Sequence, residues 1–101
     1  MSDGRIIKHI VVGGRVQGVG FRAFVEHHAI QRNLNGWVRN RRDGTVEAVF
    51  AGPSDSVNGM IRACEIGPLS GRVDTLDQRD GTEAELAERG AGEKFSCLPT
   101  V

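Results

Sequence analysis

Aromatic residues are scarce in this chain: four phenylalanines, one tryptophan and no tyrosine. A module that stacks single-stranded RNA bases places aromatics on its central strands. Here the apolar stretch TVEAVF offers only Phe50, and IIKHIVV offers none. Net charge is also missing, with 13 basic residues against 13 acidic ones. A general nucleic-acid binder needs a basic surface to gain from counterion release, so no nucleic-acid partner is expected. A local basic site for a small anion stays open, because most arginines lie in the first half and most acids between Asp74 and Glu93. The two cysteines, Cys64 and Cys97, have neither zinc-site nor C-x-x-C spacing, and are read as free, partly buried thiols. The start, MSDGRIIKHIVV, lacks the long apolar run of a signal peptide or a membrane span. No membrane partner is expected, and a cytoplasmic location follows. The three histidines do not form a ligand set: His27 and His28 are adjacent and point apart on a helix, and His9 is far away. Helical metal pairs favour i, i+4 spacing, so no metal is expected.

What is present suits one globular domain over residues 1–101. Apolar residues make up 39% and charged residues 26%, enough for a core without disulfides or metal. Ile6–Val12 is β-branched and reads as a buried central strand, broken by Gly13 and Gly14. Arg15–Gly20 is a glycine-rich loop. A helix starts at Phe21, with Phe21, Phe24, Val25 and Ala29 on one face, and NLNG (Asn33–Gly36) stops it. Trp37–Asn40 and Thr45–Phe50 read as strands joined by a hairpin turn at Asp43-Gly44. Gly52-Pro53 ends the second of these. Ser54 or Asp55 is expected to cap another helix, with Val57, Met60, Ile61 and Cys64 inward and Gly67-Pro68 as its stop. Arg72–Gln78 alternates like a half-buried strand. The polar stretch Arg79–Gly92 reads as a loop or a short helical turn, and Phe95–Leu98 as a short edge strand. The order strand, helix, strand, strand, helix, strand predicts an α+β, ferredoxin-like βαββαβ sandwich, an antiparallel sheet with two helices on one face.

The segment Gly14–Arg22, GRVQGVGFR, carries the chemistry. A glycine-rich turn between strand and helix lets successive N–H groups point into one concavity, and the helix adds its free N–H groups and positive dipole end. Arg22 falls in the first helical turn, where its guanidinium can grip two phosphate oxygens. Two nucleotide motifs fail here. Gly13 and Gly18 have P-loop spacing, but Val19 and Gly20 stand where Lys and Ser/Thr are required. Gly18 and Gly20 are followed by Ala23, not by the third glycine of a dinucleotide fingerprint. Residue chemistry alone leaves two readings: a small-anion site, or a flexible glycine turn with Arg22 as a solvated charge.

GRVQGVGFR and GWVRN, together with DGTVE and GPLSGRV, resemble the signature segments of the acylphosphatase family; the resemblance runs from about Ile7 to Val73. It implies an enzyme that cleaves the carboxyl–phosphate bond of a small acyl phosphate, as a monomer without cofactor or metal. It implies that Arg22 binds the phosphate and that Asn40 orients the attacking water. It further implies that Arg15, Val16, Gln17, Gly18, Val19, Gly20 and Phe21 supply the backbone N–H cradle. The chemistry is consistent. An acyl phosphate has a good carboxylate leaving group, so charge stabilisation and an in-line water matter more than acid catalysis. Asn40 can accept a hydrogen bond from water but is no general base, which leaves the proton to the substrate's own phosphate oxygens. Gln17 is read as holding the turn, with contact to phosphate as the alternative, and Trp37 as core. Arg39, Arg41 and Arg42 either add positive potential near the site or form a solvated turn. A rival is a binding module of the same resemblance that senses phosphate or carbamoyl phosphate without turnover.

Overall fold

The alternation of β-branched residues in the first strand sets up the fold. In the computed structural model, which describes residues 4–90 and 92–101, Ile10 and Val12 of β1 (Arg5–Arg15) are fully buried against the helices. Residues 1–3, and residue 91 within the polar segment read as a loop or helical turn, lie outside the described residues. After β1 come α1 (Phe21–Gln31), β2 (Asn35–Asn40), β3 (Val46–Pro53), α2 (Ser54–Ile66), β4 (Arg72–Asp80), α3 (Glu83–Leu86) and β5 (Phe95–Cys97). The five strands form one sheet in the order β4-β1-β3-β2-β5.

The α+β, ferredoxin-like architecture is present, with α1 and α2 on one face. Phe21, Val25 and Ala29 of α1 and Val57, Met60, Ile61 and Cys64 of α2 join Ile10, Val12, Val38, Ala48 and Phe50 in the main core. Each fully buried Val or Phe there contributes about 1.5–3 kcal/mol relative to exposure. Burial also pushes the Cys64 thiol up to about 12, which makes it a packing residue and not a nucleophile.

Three expectations are corrected. Gly13 and Gly14 do not end β1: the strand runs through a bulge between them and pairs on to Arg15. A β-carbon at Gly13 would stand 2.6 Å from Thr75 Oγ1, so glycine admits β4 rather than breaking β1. The sheet is not wholly antiparallel, because β5 lies parallel to β2, with Gly36, Trp37 and Val38 opposite Phe95, Ser96 and Cys97. Ser54 and Asp55 lie inside α2, whose cap position is Pro53 without a side-chain bond. Of the two readings of Arg79–Gly92, the short helical turn is the one present, as α3 with a full capping box: Thr82 accepts from the Glu85 N–H, and the Glu85 carboxylate accepts from the Thr82 N–H. It covers the sheet's other face, where Trp37, Val49, Ala51 and Leu86 form a second cluster.

Candidate active site

The end of β1 delivers the chain into the turn Gln17–Gly20, and Gly20 opens α1 with φ 80°. Gly18 also has positive φ, at 74°. Such angles are cheap only for glycine, and they turn consecutive N–H groups toward one side. No side chain caps α1, and its first turn contains no acid. The first helical bond runs from the Phe24 N–H to the Gly20 carbonyl at 2.9 Å. Among the described residues, none of the N–H groups from Gln17 to Ala23 donates to another protein group. A run of free donors at the positive end of an 11-residue helix favours an anion.

Arg22 stands in that first turn, exposed, and takes part in none of the ion pairs or side-chain hydrogen bonds found among the described residues. It lines a cavity of about 380 Å³ together with Val16, Gly18, Gly20, Phe21 and Asn40. Val16 and Phe21 are each only 1% exposed and belong to the core, so they form the cavity's floor. Asn40 reaches it because β2 alternates: Val38 packs toward the helices, and Asn40 follows two residues later on the same side. Its side chain forms no hydrogen bond among the described residues, while its carbonyl accepts from the Val101 N–H at 3.2 Å.

Three residues assigned to the cradle do not line this cavity. Arg15 closes β1 opposite Arg72. Val19 lies against the turn after α2, where Ser70 Oγ donates to its carbonyl at 3.2 Å. Gln17 turns away and donates from Nε2 to the Arg41 carbonyl at 2.7 Å and the Thr45 carbonyl at 2.8 Å. That places its side chain in the turn-holding role, tied to the β2–β3 hairpin that begins one residue after Asn40. The N–H groups of Gln17 and Val19 remain free.

The cavity also contains residues not foreseen from the sequence: Ala23, Glu26 and Cys97. Glu26 was legible in principle, since i+4 on a helix shares the face of Arg22. Cys97 was not, because its place depends on the parallel register of β5. Burial pushes the Cys97 thiol up, and the neighbouring Glu26 carboxylate pushes it the same way, against the pull of Arg22. Both cysteines are free.

The other charged residues weighed above are elsewhere. Arg39 points to the opposite face, its Cζ 4.4 Å from the centre of the Trp37 ring, and it pairs with Glu47 at 2.9 Å and Glu88 at 3.2 Å. Arg41 and Arg42 sit in the hairpin turn outside the cavity lining. His9 bonds Glu47 at 2.7 Å, while the His28 ring lies 4.4 Å from that of Phe24, so the histidines share no site. Trp37 is core, 1% exposed, with its Nε1–H donated to the Glu85 carbonyl at 2.7 Å. Among the described residues, no helix is long and apolar enough to cross a membrane.

Comparison with known proteins gives a consistent picture. The sequence model of the Acylphosphatase family matches residues 8–95. An acylphosphatase of Rhodopseudomonas palustris is 54% identical over 95% of this chain and 97% of its own. One from Bradyrhizobium diazoefficiens is also 54% identical, over 96% and 98%. The crystal structure of acylphosphatase from Bacillus subtilis superposes with a TM-score of 0.79 at 35% identity, covering 92% of this chain and 98% of that one.

Proposed function

From the premise that the chain belongs to the acylphosphatase family, we propose that its cavity hydrolyses acyl phosphates by a phosphate cradle and an oriented water. The enzyme cleaves an acyl phosphate to carboxylate and inorganic phosphate. The finer reading assigns roles within that reaction. The free N–H groups of the Gln17–Gly20 turn and the first turn of α1 bind the phosphoryl oxygens. Arg22 adds a bidentate contact that strengthens as negative charge gathers on those oxygens in the transition state. Asn40 accepts a hydrogen bond from water on the attacking side. The water's proton passes to a phosphate oxygen, and the carboxylate leaves with the bonding electrons. No protein base is required, because the leaving group is a stable anion.

One observation carries this reading: an unpartnered guanidinium and an unbonded Asn side chain share one cavity with Gly18, Gly20, Phe21 and Ala23, whose N–H groups are free among the described residues. The reading includes a monomer in the cytoplasm, a compartment in which two free thiols persist.

The test is turnover of acetyl phosphate and benzoyl phosphate, followed by inorganic phosphate release and by loss of the substrate. Hydrolysis well above the uncatalysed rate, competitively inhibited by phosphate, is the expected result. Tight phosphate binding with no release above background would turn the reading toward a sensing module instead.

A further inference from the structure

The cavity has a wall that neither the cradle nor the water position uses. Glu26 stands one helical turn beyond Arg22 and lines the same cavity, half-buried. It takes part in none of the ion pairs found among the described residues, so Arg22 does not neutralise it. Its neighbour is Cys97, which faces the cavity from β5. Cys97 lies opposite Val38, and so sits beside Asn40 on the same side of the sheet. The remaining lining is apolar or backbone, and Arg15, Arg41 and Arg42 are not part of it. The cavity therefore has one cation and one anion, with about 380 Å³ to hold more than a phosphoryl group.

We propose that Glu26, buttressed by Cys97, faces the acyl portion of the substrate and sets its charge preference. The enzyme then favours acyl phosphates whose acyl chain is uncharged or carries an ammonium group, over those whose chain ends in a second anion. This rests on the acyl phosphate reading above. The physical reason is that a substrate with two anionic ends has only one cradle to occupy. Its second anion must approach the half-buried Glu26 carboxylate, where like charges repel more strongly than in bulk water. An ammonium end meets the same carboxylate with attraction. Chain length and leaving-group acidity differ between substrates but not between proteins, so the change in each ratio from the unaltered chain to the Glu26 variants reports the distal charge.

The experiment compares kcat/KM for acetyl, succinyl and β-alanyl phosphate with the unaltered chain, Glu26→Gln and Glu26→Lys. For the unaltered chain the expected order is β-alanyl at or above acetyl, with succinyl about tenfold lower, typical of one unfavourable charge contact. Glu26→Gln should raise succinyl relative to acetyl by about tenfold and remove any β-alanyl advantage. Glu26→Lys, a second solvent-tolerated helix residue, should invert the order. Circular dichroism confirms that both variants are folded. An acetyl-to-succinyl ratio that stays within about twofold across all three proteins overturns the proposal. Failure of the unaltered chain to cleave any of the three removes the underlying reading, and it is recognised because all substrates fail alike.

Discussion

The two faces of the sheet use the same residue types to opposite ends. On the face away from α1 and α2, Arg39 is stacked on Trp37 and paired with Glu47 and Glu88, and Glu47 is also bonded by His9. Each of these charged or ionisable side chains has a partner among the described residues. On the helix face, Arg22, Asn40 and Glu26 share a cavity and form no ion pairs with one another. Arg39 and Asn40 are adjacent in sequence, yet the strand's two-residue period sends one to each face. A paired buried charge stabilises a fold only modestly, because desolvation offsets attraction. An unpaired cation at a helix N-terminus opposes the helix dipole, so it does not stabilise the fold and is available to a ligand. The contrast sets a paired arginine that serves the fold beside an unpaired one open to an anion.

The sharpest test replaces each arginine in turn. Arg22→Ala should lower kcat/KM on acetyl phosphate by about a thousandfold or more, with the melting temperature nearly unchanged, because the lost contact matters most in the transition state. Arg39→Ala should do the reverse. It leaves Glu47 short of a partner and uncovers Trp37, costing about 2 kcal/mol of stability while the folded fraction keeps its activity. If Arg39→Ala lost activity as severely as Arg22→Ala while remaining equally stable, the two faces would not be distinct in function.

Asn40→Ala is expected to reduce kcat by about a hundredfold, the scale for a lost positioning contact, with the inhibition constant of inorganic phosphate roughly kept. A parallel loss of phosphate affinity would move Asn40 from the water to the cradle. Gln17→Ala is milder. It removes two bonds that hold the cradle turn to the hairpin beside Asn40, at a cost of about 1–2 kcal/mol. Since the cradle's N–H groups are retained but their distance to Asn40 relaxes, kcat should fall about tenfold while phosphate inhibition changes less. Equal changes in both would show the cradle itself collapsing.

These predictions also mark what could be read from the chain. The glycine-rich turn and the start of α1 were legible, because glycine punctuation and helix periodicity act over a few neighbouring residues. The assignment of Asn40 was not physical at that stage; it came from the resemblance of GWVRN to a family segment. The opposite destinies of Arg39 and Asn40 follow from strand alternation, but only once β2 is known to be covered on both faces. That depends on α3, whose segment TEAELAERG offers a short helical turn but carries too little apolar surface to say what it covers. The parallel pairing of β5 with β2, which brings Cys97 into the cavity, joins residues about 60 apart in sequence. No local pattern encodes it. Gly13-Gly14 shows a different failure: a break signal was read correctly as a backbone irregularity but assigned to the wrong kind, a bulge in place of an end.

The smallest effect expected concerns the paired face in acid. Burial on its own would push the Glu47 carboxyl up, but hydrogen bonds from His9 and Arg39, with the Arg39 charge, outweigh it and hold the carboxyl below the ordinary value of 4.5. A carboxyl held down by the fold stabilises it above the unfolded value, and that stability is lost as pH falls through the folded value. Glu47→Gln has no such titration. The melting-temperature gap between the two proteins should therefore be widest near pH 7, on the order of 1 kcal/mol after screening, and should narrow below about pH 4. Asp80 and Glu85, also held down, by Lys8 and Arg79 respectively, remain in both proteins and cancel in the difference. A gap that stays constant from pH 7 to pH 3 would mean that Glu47 acts on this face by shape rather than by charge. In that case the paired cluster would differ from the open cavity in packing alone.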